Sequence, residues 1–391
     1  MKKRVIIIAI SILLILTVVS PLAAFDWGGL FDTNLNFGSR QLFKKESSGV
    51  VGFGAKLTGW FRTPLPLGSL SIEGGWAFNL SKGFVWPIKF SDTQIGNTLD
   101  ISLLKYNFPI NIKDYTLDVN VGRFAIADST GYILNQNIDG VYASMPFNLF
   151  SVSAGLGYTG LQNAKTTSVY GISVTPSSSS VYELAPGYVA VLARATAPNL
   201  VGGQSFDAEF NTFINCNTVA NSDKRSRSYV TIGARGSVIP LIYYNAAFSL
   251  GFALGNKSKT GVMGNAGITY YPDFLSSALS FTTLFATDGF LPFTNIPISC
   301  DGRIHCTNLL KLALSYSMKP TDKWVINTEM ALLYSSEQSG SFGLDVFQAN
   351  LSAKFQWFSD VSIVAANGLV IPVSDSSVSY LTGSIRAQIS F

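Results

Sequence analysis

The chain has 391 residues, of which 47% are hydrophobic and 13% are charged, about half the charged share of an ordinary soluble domain. A surface rich in ions is therefore not available to cover a chain of this size. The formal charge of +4 drops to +1 when the three basic residues at positions 2–4 are set aside, since 27 Lys and Arg then lose three members against 23 Asp and Glu. This balance excludes the basic footprint of a nucleic-acid-binding protein.

Residues 1–24 have the three parts of a secretory signal peptide. Basic residues at positions 2–4 precede a largely apolar run, Val5–Val19, and small residues end the segment at Ala24. This order is typical of a cleaved signal, so we expect a mature chain of residues 25–391. An uncleaved anchor helix is the alternative, and the Pro and paired Ala after the apolar run favour cleavage. After residue 24 no run of 18 apolar residues occurs, which excludes transmembrane helices.

The mature chain alternates apolar and polar residues over many successive segments. Clear examples cover residues 69–81, 150–158, 206–211, 230–235, 242–252, 310–316, 324–334 and 347–357. A period of two is typical of β-strands. Several of these runs exceed the roughly 5 or 6 residues of an average soluble strand, and their length suits a strand tilted across an apolar membrane band.

Short and long connections alternate along the chain. Short joins are expected after about Arg62, Phe108, Phe147, Ala197, Ile239, Tyr271, Lys319 and Trp357, and most of the connections between them are longer. Antiparallel strands joined in this way carry all short turns at one end and all long loops at the other. The count between joins is about 18 strands, within a range of 16 to 20, beginning near Leu30.

The segment Val378–Phe391 alternates over its whole length. Phe391, Ile389 and Ile385 fall on one face, while Gln388 and Arg386 fall on the other. This segment resembles the C-terminal signature of bacterial outer-membrane β-barrel proteins, in which a terminal Phe follows apolar residues at alternate positions. The resemblance implies that this is the closing strand and that Phe391 belongs to the signal read by the barrel assembly machinery.

We therefore predict an all-β fold: a transmembrane antiparallel up-and-down β-barrel with short periplasmic turns and long external loops, integral to the bacterial outer membrane. The expected partners are outer-membrane lipid, the assembly machinery and small solutes, and assembly into a homo-oligomer is left open. No cofactor, metal ion or nucleic acid is expected.

The leading functional hypothesis is a porin-like channel for passive diffusion of small polar solutes, because a barrel of this strand number encloses a wide lumen. The alternation predicts a pore wall that includes Lys56, Glu73, Asp207, Glu209, Arg235, Lys311, Glu329, Lys354 and Arg386. The long connection Leu161–Glu183 is the candidate for an infolded or otherwise specialised loop, because its run Pro176–Ser180 is uncharged, and a flexible external loop is the alternative. The alternatives are an adhesin or surface receptor acting through its external loops, and a carrier of hydrophobic molecules resembling the long-chain fatty-acid transporters.

Residues able to carry catalysis are few. The single histidine, His305, shares a long loop with Ser299 and Asp301, which leaves a hydrolase only as a minor alternative, and no catalytic or metal-binding residue is assigned. Cys300 and Cys306 lie in the same loop and are predicted to form a disulfide, since such bonds persist outside the cytoplasm. Unpaired thiols are the alternative.

One further pattern concerns two neighbouring segments, Gly122–Phe124 and Asp139–Val141. A strand ending in Gly-Arg, followed by a returning strand that opens with Asp-Gly, resembles hairpins of several porin families, where such residues sit near the pore wall. A turn glycine and a solvated ion pair are the alternative interpretation.

Overall fold

The computed structural model describes residues 25–40, 48–85, 89–170, 180–217, 226–254, 259–300, 302, 304–336, 341–373 and 379–391. Eighteen strands follow one another along the chain. They are β1 (Asp26–Arg40), β2 (Ser48–Leu65), β3 (Gly68–Val85), β4 (Lys89–Ile112), β5 (Tyr115–Ala127), β6 (Asn135–Pro146), β7 (Ser151–Tyr158), β8 (Tyr188–Val201), β9 (Gln204–Asn215), β10 (Ser226–Ile239), β11 (Ile242–Leu254), β12 (Lys259–Tyr270), β13 (Ala278–Ala286), β14 (Leu309–Thr321), β15 (Trp324–Ser335), β16 (Gly343–Phe358), β17 (Val361–Pro372) and β18 (Tyr380–Ser390).

The sheet closes on itself through β1. Each strand pairs with its sequence neighbours in antiparallel orientation, and β1 pairs with β2 on one side and with β18 on the other. The β1–β18 ladder runs from Leu30 opposite Ser390 to Arg40 opposite Tyr380. With no strand left at an edge, the backbone of the barrel wall can be hydrogen-bonded without water. The predicted fold and the count of about 18 strands are confirmed.

The turns at one end of the barrel are short, as the sequence predicts. Six of them have only two residues, at 66–67, 113–114, 202–203, 240–241, 322–323 and 359–360, and the other two cover 147–150 and 271–277. In the β8–β9 turn, Gly202 and Gly203 both have positive φ, 57° and 80°, the conformation that a tight hairpin turn of this hand requires. The two longest connections, 159–187 and 287–308, lie at the opposite end together with 128–134.

The outer surface of the barrel is apolar because one face of every strand carries large hydrophobic side chains. On β9, Phe206 and Phe210 are 41% and 47% exposed. Asp207 and Glu209, which lie between these two residues in the strand, are each 6% exposed. Exposed apolar side chains of this kind form the band that contacts lipid. No helix among the described residues is long and apolar enough to cross a membrane. The predicted signal peptide, residues 1–24, lies outside the described part of the chain.

An apolar core, here called the inner core, lies inside the barrel towards the end with the longer loops. Three connections contribute to it, and Ile133, Val169 and Phe293, one from each, are at most 1% exposed. They pack with wall residues such as Tyr188 of β8 and Phe213 of β9. The sequence predicts only one infolded loop. It does not predict that 128–134 and 287–308 also fold into the lumen and contribute to this core.

We expect heat-modifiable migration on gels. The strands form one closed sheet in which each strand is hydrogen-bonded to two neighbours, so the folded barrel should survive detergent until it is boiled. Seminative electrophoresis of refolded protein should show two bands that interconvert on heating. A single band before and after boiling, together with helical circular dichroism, would contradict the fold.

Phe391 forms two backbone hydrogen bonds with Gly29. Its N–H donates to Gly29 O at 3.0 Å, and its carbonyl accepts from Gly29 N at 2.8 Å. Its ring covers Gly29 so closely that a Cβ there would lie 2.3 Å from a ring carbon. Phe391→Ala should therefore lower the heat-modifiable form in outer membranes several-fold. Phe358→Ala is the control, because Phe358 is equally exposed beside a short turn. Equal levels of both variants would show that Phe391 is not an assembly signal.

Candidate functional site

The lumenal face carries the polar side chains. The strand registers place all nine charged residues predicted to line a pore on this face, which are Lys56, Glu73, Asp207, Glu209, Arg235, Lys311, Glu329, Lys354 and Arg386. Whether these residues contact a permeating solute stays a prediction. The structure does show how they are grouped, because several of them lie on adjacent strands and interact directly.

An ionic cluster connects three neighbouring strands, β8, β9 and β10. Arg194 Nη2 lies 3.2 Å from Asp207 Oδ1 and its Nε lies 3.1 Å from Glu209 Oε1, while Arg235 Nη2 lies 3.6 Å from Asp207 Oδ2. The two carboxylates are buried, whereas Arg235 is about half exposed. Burial of a carboxylate is costly unless charge and hydrogen bonds compensate it. Arg194 supplies the charge to both carboxylates and a hydrogen bond to Asp207, while Ser129 N donates to Glu209 Oε2 at 3.0 Å. Arg194 was not identified from the sequence, although it falls on the lumenal face of β8.

A second group of charges lies at the closing seam. Arg386 on β18 forms an ion pair with Asp32 on β1, which also accepts a hydrogen bond from Gln388 Nε2 at 2.9 Å. Asp32 was not identified from the sequence, although its position on the polar face of the first strand was a usable signal. Lys56 and Lys354 are exposed in the lumen, and no ion pair of either is found with another described residue.

A third pair connects β14 and β15. Lys311 Nζ lies 3.0 Å from Glu329 Oε1, and Gln348 on β16 donates to the same oxygen at 3.3 Å. Charge-assisted hydrogen bonds of this kind hold neighbouring side chains in one arrangement. Glu329 is therefore engaged on both sides by residues of adjacent strands.

The 128–134 connection turns into the lumen around Asp128. Its Oδ1 accepts hydrogen bonds from the backbone N–H groups of Ile133 at 3.0 Å and Leu134 at 2.8 Å, and its Oδ2 accepts one from Thr130 N at 2.9 Å. Short polar side chains commonly organise turns through such bonds. Gly131 has φ of +70° within this turn. The result is a compact loop that directs Ile133 and Leu134 into the inner core.

The 287–308 connection contributes most of the aromatic packing inside the barrel. Phe293 stacks on Phe213 of β9 with ring centroids 3.8 Å apart and planes 6° apart, and Tyr188 of β8 meets Phe293 edge-on at 5.2 Å. The backbone N–H groups of Phe293 and Thr294 both donate to Ile133 O. This loop is therefore fixed both to the barrel wall and to the 128–134 loop. Its run of apolar residues, far from any lipid-facing strand, was the sequence signal for this role.

Arg227 at the start of β10 holds two loops at once. Its Nη1 donates to Pro292 O at 2.6 Å and its Nη2 donates to Tyr170 O at 2.6 Å. The next lumenal residue, Tyr229, donates from its hydroxyl to Leu291 O at 2.6 Å. Arg227 is 1% exposed, so a buried guanidinium is compensated by carbonyl groups of two different connections.

The predicted loop Leu161–Glu183 reaches both the inner core and the barrel wall. Val169 forms a backbone bridge with Thr294 inside the barrel. Asn163 Nδ2 donates to Leu99 O on β4 at 2.9 Å, and Leu99 N donates to Val181 O at 3.2 Å. Residues 171–179, which include most of the uncharged run Pro176–Ser180, lie outside the described residues.

Arg123 joins this loop to the wall where β4 and β5 separate. The β4–β5 ladder ends at Leu104 opposite Arg123. At this end of the ladder Arg123 donates from Nε to Asp139 Oδ1 at 2.7 Å and from Nη2 to Asp139 Oδ2 at 2.9 Å. Its Nη2 also donates to Leu161 O at 2.8 Å. Arg123 is 9% exposed, so the alternative of a solvated ion pair was wrong. Gly122 has φ of +116°, and a Cβ there would lie 2.0 Å from Leu104 O.

A cavity of about 850 Å³ lies beside the inner core. Strands β13 to β18 and β1 to β3 contribute to it, and on β14 to β17 its residues lie further from the long-loop end than the core residues do. Most of the side chains that face it from the lumenal side of the wall are hydroxyls or amides, namely Asn36, Ser81, Ser280, Ser315, Ser317, Asn327, Asn350, Ser352, Thr382 and Ser384. The lumen is thus divided into a part filled by loops and a part with a polar cavity.

The candidate residues for hydrolysis do not form a catalytic arrangement among the described residues. Ser299 Oγ accepts a hydrogen bond from Ile304 N at 2.9 Å, and Asp301 lies outside the described residues. The His305 ring meets the Tyr170 ring edge-on at 5.7 Å, and burial lowers the pKa of this imidazole. No group of His, Cys, Asp and Glu that could hold a metal ion occurs in the described part of the chain.

No bond joins the sulfur atoms of Cys300 and Cys306 in the structure. Cys306 lies in the inner core, where burial raises the pKa of its thiol to about 12, and Cys300 N donates to Gln348 Oε1 at 3.2 Å. Cys216 is an exposed free thiol. The Cys300–Cys306 disulfide stays a prediction, and the buried, protonated thiol of Cys306 would form it slowly.

Comparisons with known proteins identify the fold. No family model and no curated protein matches the chain. Among solved structures, OccK5 (OpdH) of Pseudomonas aeruginosa is 12% identical with a TM-score of 0.57, over 94% of this chain and 98% of that one. The outer membrane protein OpdK of the same organism is 9% identical with a TM-score of 0.59, over 94% and 98%.

A third similar structure is that of OccK2 (OpdF) of Pseudomonas aeruginosa in complex with glucuronate, 10% identical with a TM-score of 0.56, over 94% of this chain and 98% of that one. At identities this low, these TM-scores show that the fold is shared and nothing further. The closed 18-stranded barrel with its apolar outer band is consequently porin-like, and the protein is an integral protein of the bacterial outer membrane.

Proposed function

We propose that this protein is an outer-membrane channel through which small polar solutes diffuse passively. The observation that carries the proposal is the division of the lumen. The inner core packs against the wall from β5 to β17 towards the end with the longer loops, and a polar cavity of about 850 Å³ remains along β13 to β18 and β1 to β3. A barrel of this strand number is wide enough for loops to narrow the lumen without filling it.

The inner core supplies the constriction. Its loops are fixed to the wall by the Phe293–Phe213 stack and by Arg227, which binds carbonyls of Pro292 and Tyr170. Buried aromatic contacts and charge-assisted hydrogen bonds make such loops part of the folded barrel. The diameter of the path is therefore set by packed structure, which suits a channel with a defined size limit.

The alternatives receive less support. A plugged barrel that acts as an adhesin does not need a lumenal wall of hydroxyl and amide groups, because no solute would pass it. A carrier of hydrophobic molecules needs an apolar path, whereas Asn36, Asn327 and Asn350 line the cavity. The complex of OccK2 with glucuronate is one example in which a barrel of this fold binds a small polar solute.

Planar-bilayer recording tests the channel and its constriction together. Refolded protein should give discrete ionic steps in KCl. Arg227→Ala should raise the step size or add frequent fluctuations, because the carbonyls of Pro292 and Tyr170 lose a shared partner and the loops loosen. Removal of such buried charged hydrogen bonds costs about 1.5–3 kcal/mol each.

Arg235→Ala is the matched control for this experiment. Arg235 lies on the same strand and the same lumenal face, but its ion pair is with Asp207 of the wall. This variant should change ion preference without added fluctuations. Silence of the wild-type protein in the bilayer would contradict the channel, and identical traces of Arg227→Ala and wild type would show that these loops do not set the constriction.

Ion preference should depend mainly on the exposed lysines. Arg386 is balanced by Asp32, whereas Lys354 is exposed on the lumenal face of β16. Lys354→Glu should shift the reversal potential in a salt gradient towards cations, and the shift should shrink in 1 M salt, where the Debye length is about 3 Å. Lys319→Glu is the control, because Lys319 lies near a short turn beside Asp322. An unchanged reversal potential would place Lys354 outside the permeation path.

A further inference from the structure

The cavity beside the inner core is polar but almost uncharged. Glu329 is the only ionised side chain among the described residues that line it, and the others are chiefly hydroxyls and amides. Hydroxyl groups both donate and accept hydrogen bonds, and amides carry separate donors and acceptors. The wall therefore offers both halves of the hydrogen bonds that a dissolved hydroxyl group makes with water.

Two charged residues at the margin of this cavity, Glu329 and Arg386, are already neutralised. Glu329 is paired with Lys311 at 3.0 Å and receives a hydrogen bond from Gln348. Arg386, one lumenal position beyond Ser384, is paired with Asp32. Two exposed cations lie just outside the cavity: Lys354, one lumenal position beyond Ser352, and Arg40, one lumenal position beyond Gly38. No cationic side chain is among the described cavity residues, so a carboxylate inside the cavity would accept hydrogen bonds but its lost hydration would be poorly replaced.

Resting on the channel function proposed above, we propose that the solutes favoured by this cavity are uncharged polyhydroxylated molecules of monosaccharide size, and that carboxylates of the same size are disfavoured. A cavity of about 850 Å³ is in the size range that accommodates small molecules. Groups from several strands face it, including Asn350 of β16, Thr382 of β18 and Asn36 of β1. A ring bearing hydroxyls on its whole circumference can use donors and acceptors on several sides at once.

The test compares glucose with glucuronate, which share a ring and differ in one substituent. Proteoliposomes containing the full-length refolded protein are diluted into isosmotic glucose or sodium glucuronate, and the swelling rates are measured by light scattering. Glucose should enter at least about three times faster. KCl conductance of the same preparation in a planar bilayer reports separately whether a channel exists.

These two readouts separate the failure of this inference from the failure of the channel hypothesis. Glucuronate entering as fast as glucose, or faster, in a preparation that conducts KCl would overturn the solute class and leave the channel standing. Absence of both conductance and swelling would overturn the channel and the inference with it.

A pair of identical substitutions tests the cavity itself. Thr382→Val removes a hydroxyl that lines the cavity, and Thr231→Val removes one that is 1% exposed and bonded to Ser249 at 2.9 Å. Thr382→Val should lower glucose entry about twofold or more, since a neutral hydrogen bond corresponds to a factor of roughly 2 to 10. Thr231→Val should leave glucose entry unchanged. Equal rates for the two variants would contradict the assigned path.

Ser384→Lys provides the opposite test, because it adds a positive charge to the cavity wall without removing bulk. Glucuronate entry should rise several-fold relative to glucose, and the gain should fall as ionic strength increases. A ratio of glucose to glucuronate entry that equals the wild-type ratio at low salt would show that Ser384 does not face the solute.

Discussion

The requirement that every backbone N–H and C=O be hydrogen-bonded in lipid governs this structure. Water is absent from the bilayer core, so a sheet can cross it only when its first and last strands pair. In this chain that pairing joins β1 to β18 along eleven residue pairs and continues into the bonds between Gly29 and Phe391. The other ladders connect neighbours in sequence, so the fold follows once this one long-range contact is made.

Closure has a consequence for the interior. Eighteen strands enclose more space than wall side chains can fill, and the connections at one end occupy part of it. They form a packed core inside the barrel, with stacked aromatic rings and a turn organised by hydrogen bonds to Asp128. Arg227 illustrates the physical cost of this arrangement. Its burial is unfavourable in itself, and the carbonyls of Pro292 and Tyr170 offset that cost only while both loops remain in place.

The sequence predicted those features that depend on local pattern. Alternation with a period of two gave the strands, their outward faces and their number, and the positions of the eight short joins were correct. The nine charged residues on alternate positions lie on the lumenal face for the same reason. Periodicity contains no information about loop destinations, however, because these depend on contacts between distant residues. Phe293 of one loop packs on Phe213 of β9 and bonds Ile133 of another loop, and none of these partners is near the others in the chain.

The same limit explains the charges that sequence analysis missed. Arg194 and Asp32 lie on lumenal faces, but their importance comes from neighbours across strands: Asp207 and Glu209 for Arg194, and Arg386 for Asp32. An ion beside a protein wall and packed loops is screened less than one in open water, so an uncompensated carboxylate there would act on every passing solute. Pairing removes most of that field and leaves the amides and hydroxyls of the cavity wall as the groups that a solute encounters. The selectivity of the lumen is then set as much by the charges that are cancelled as by those that remain exposed.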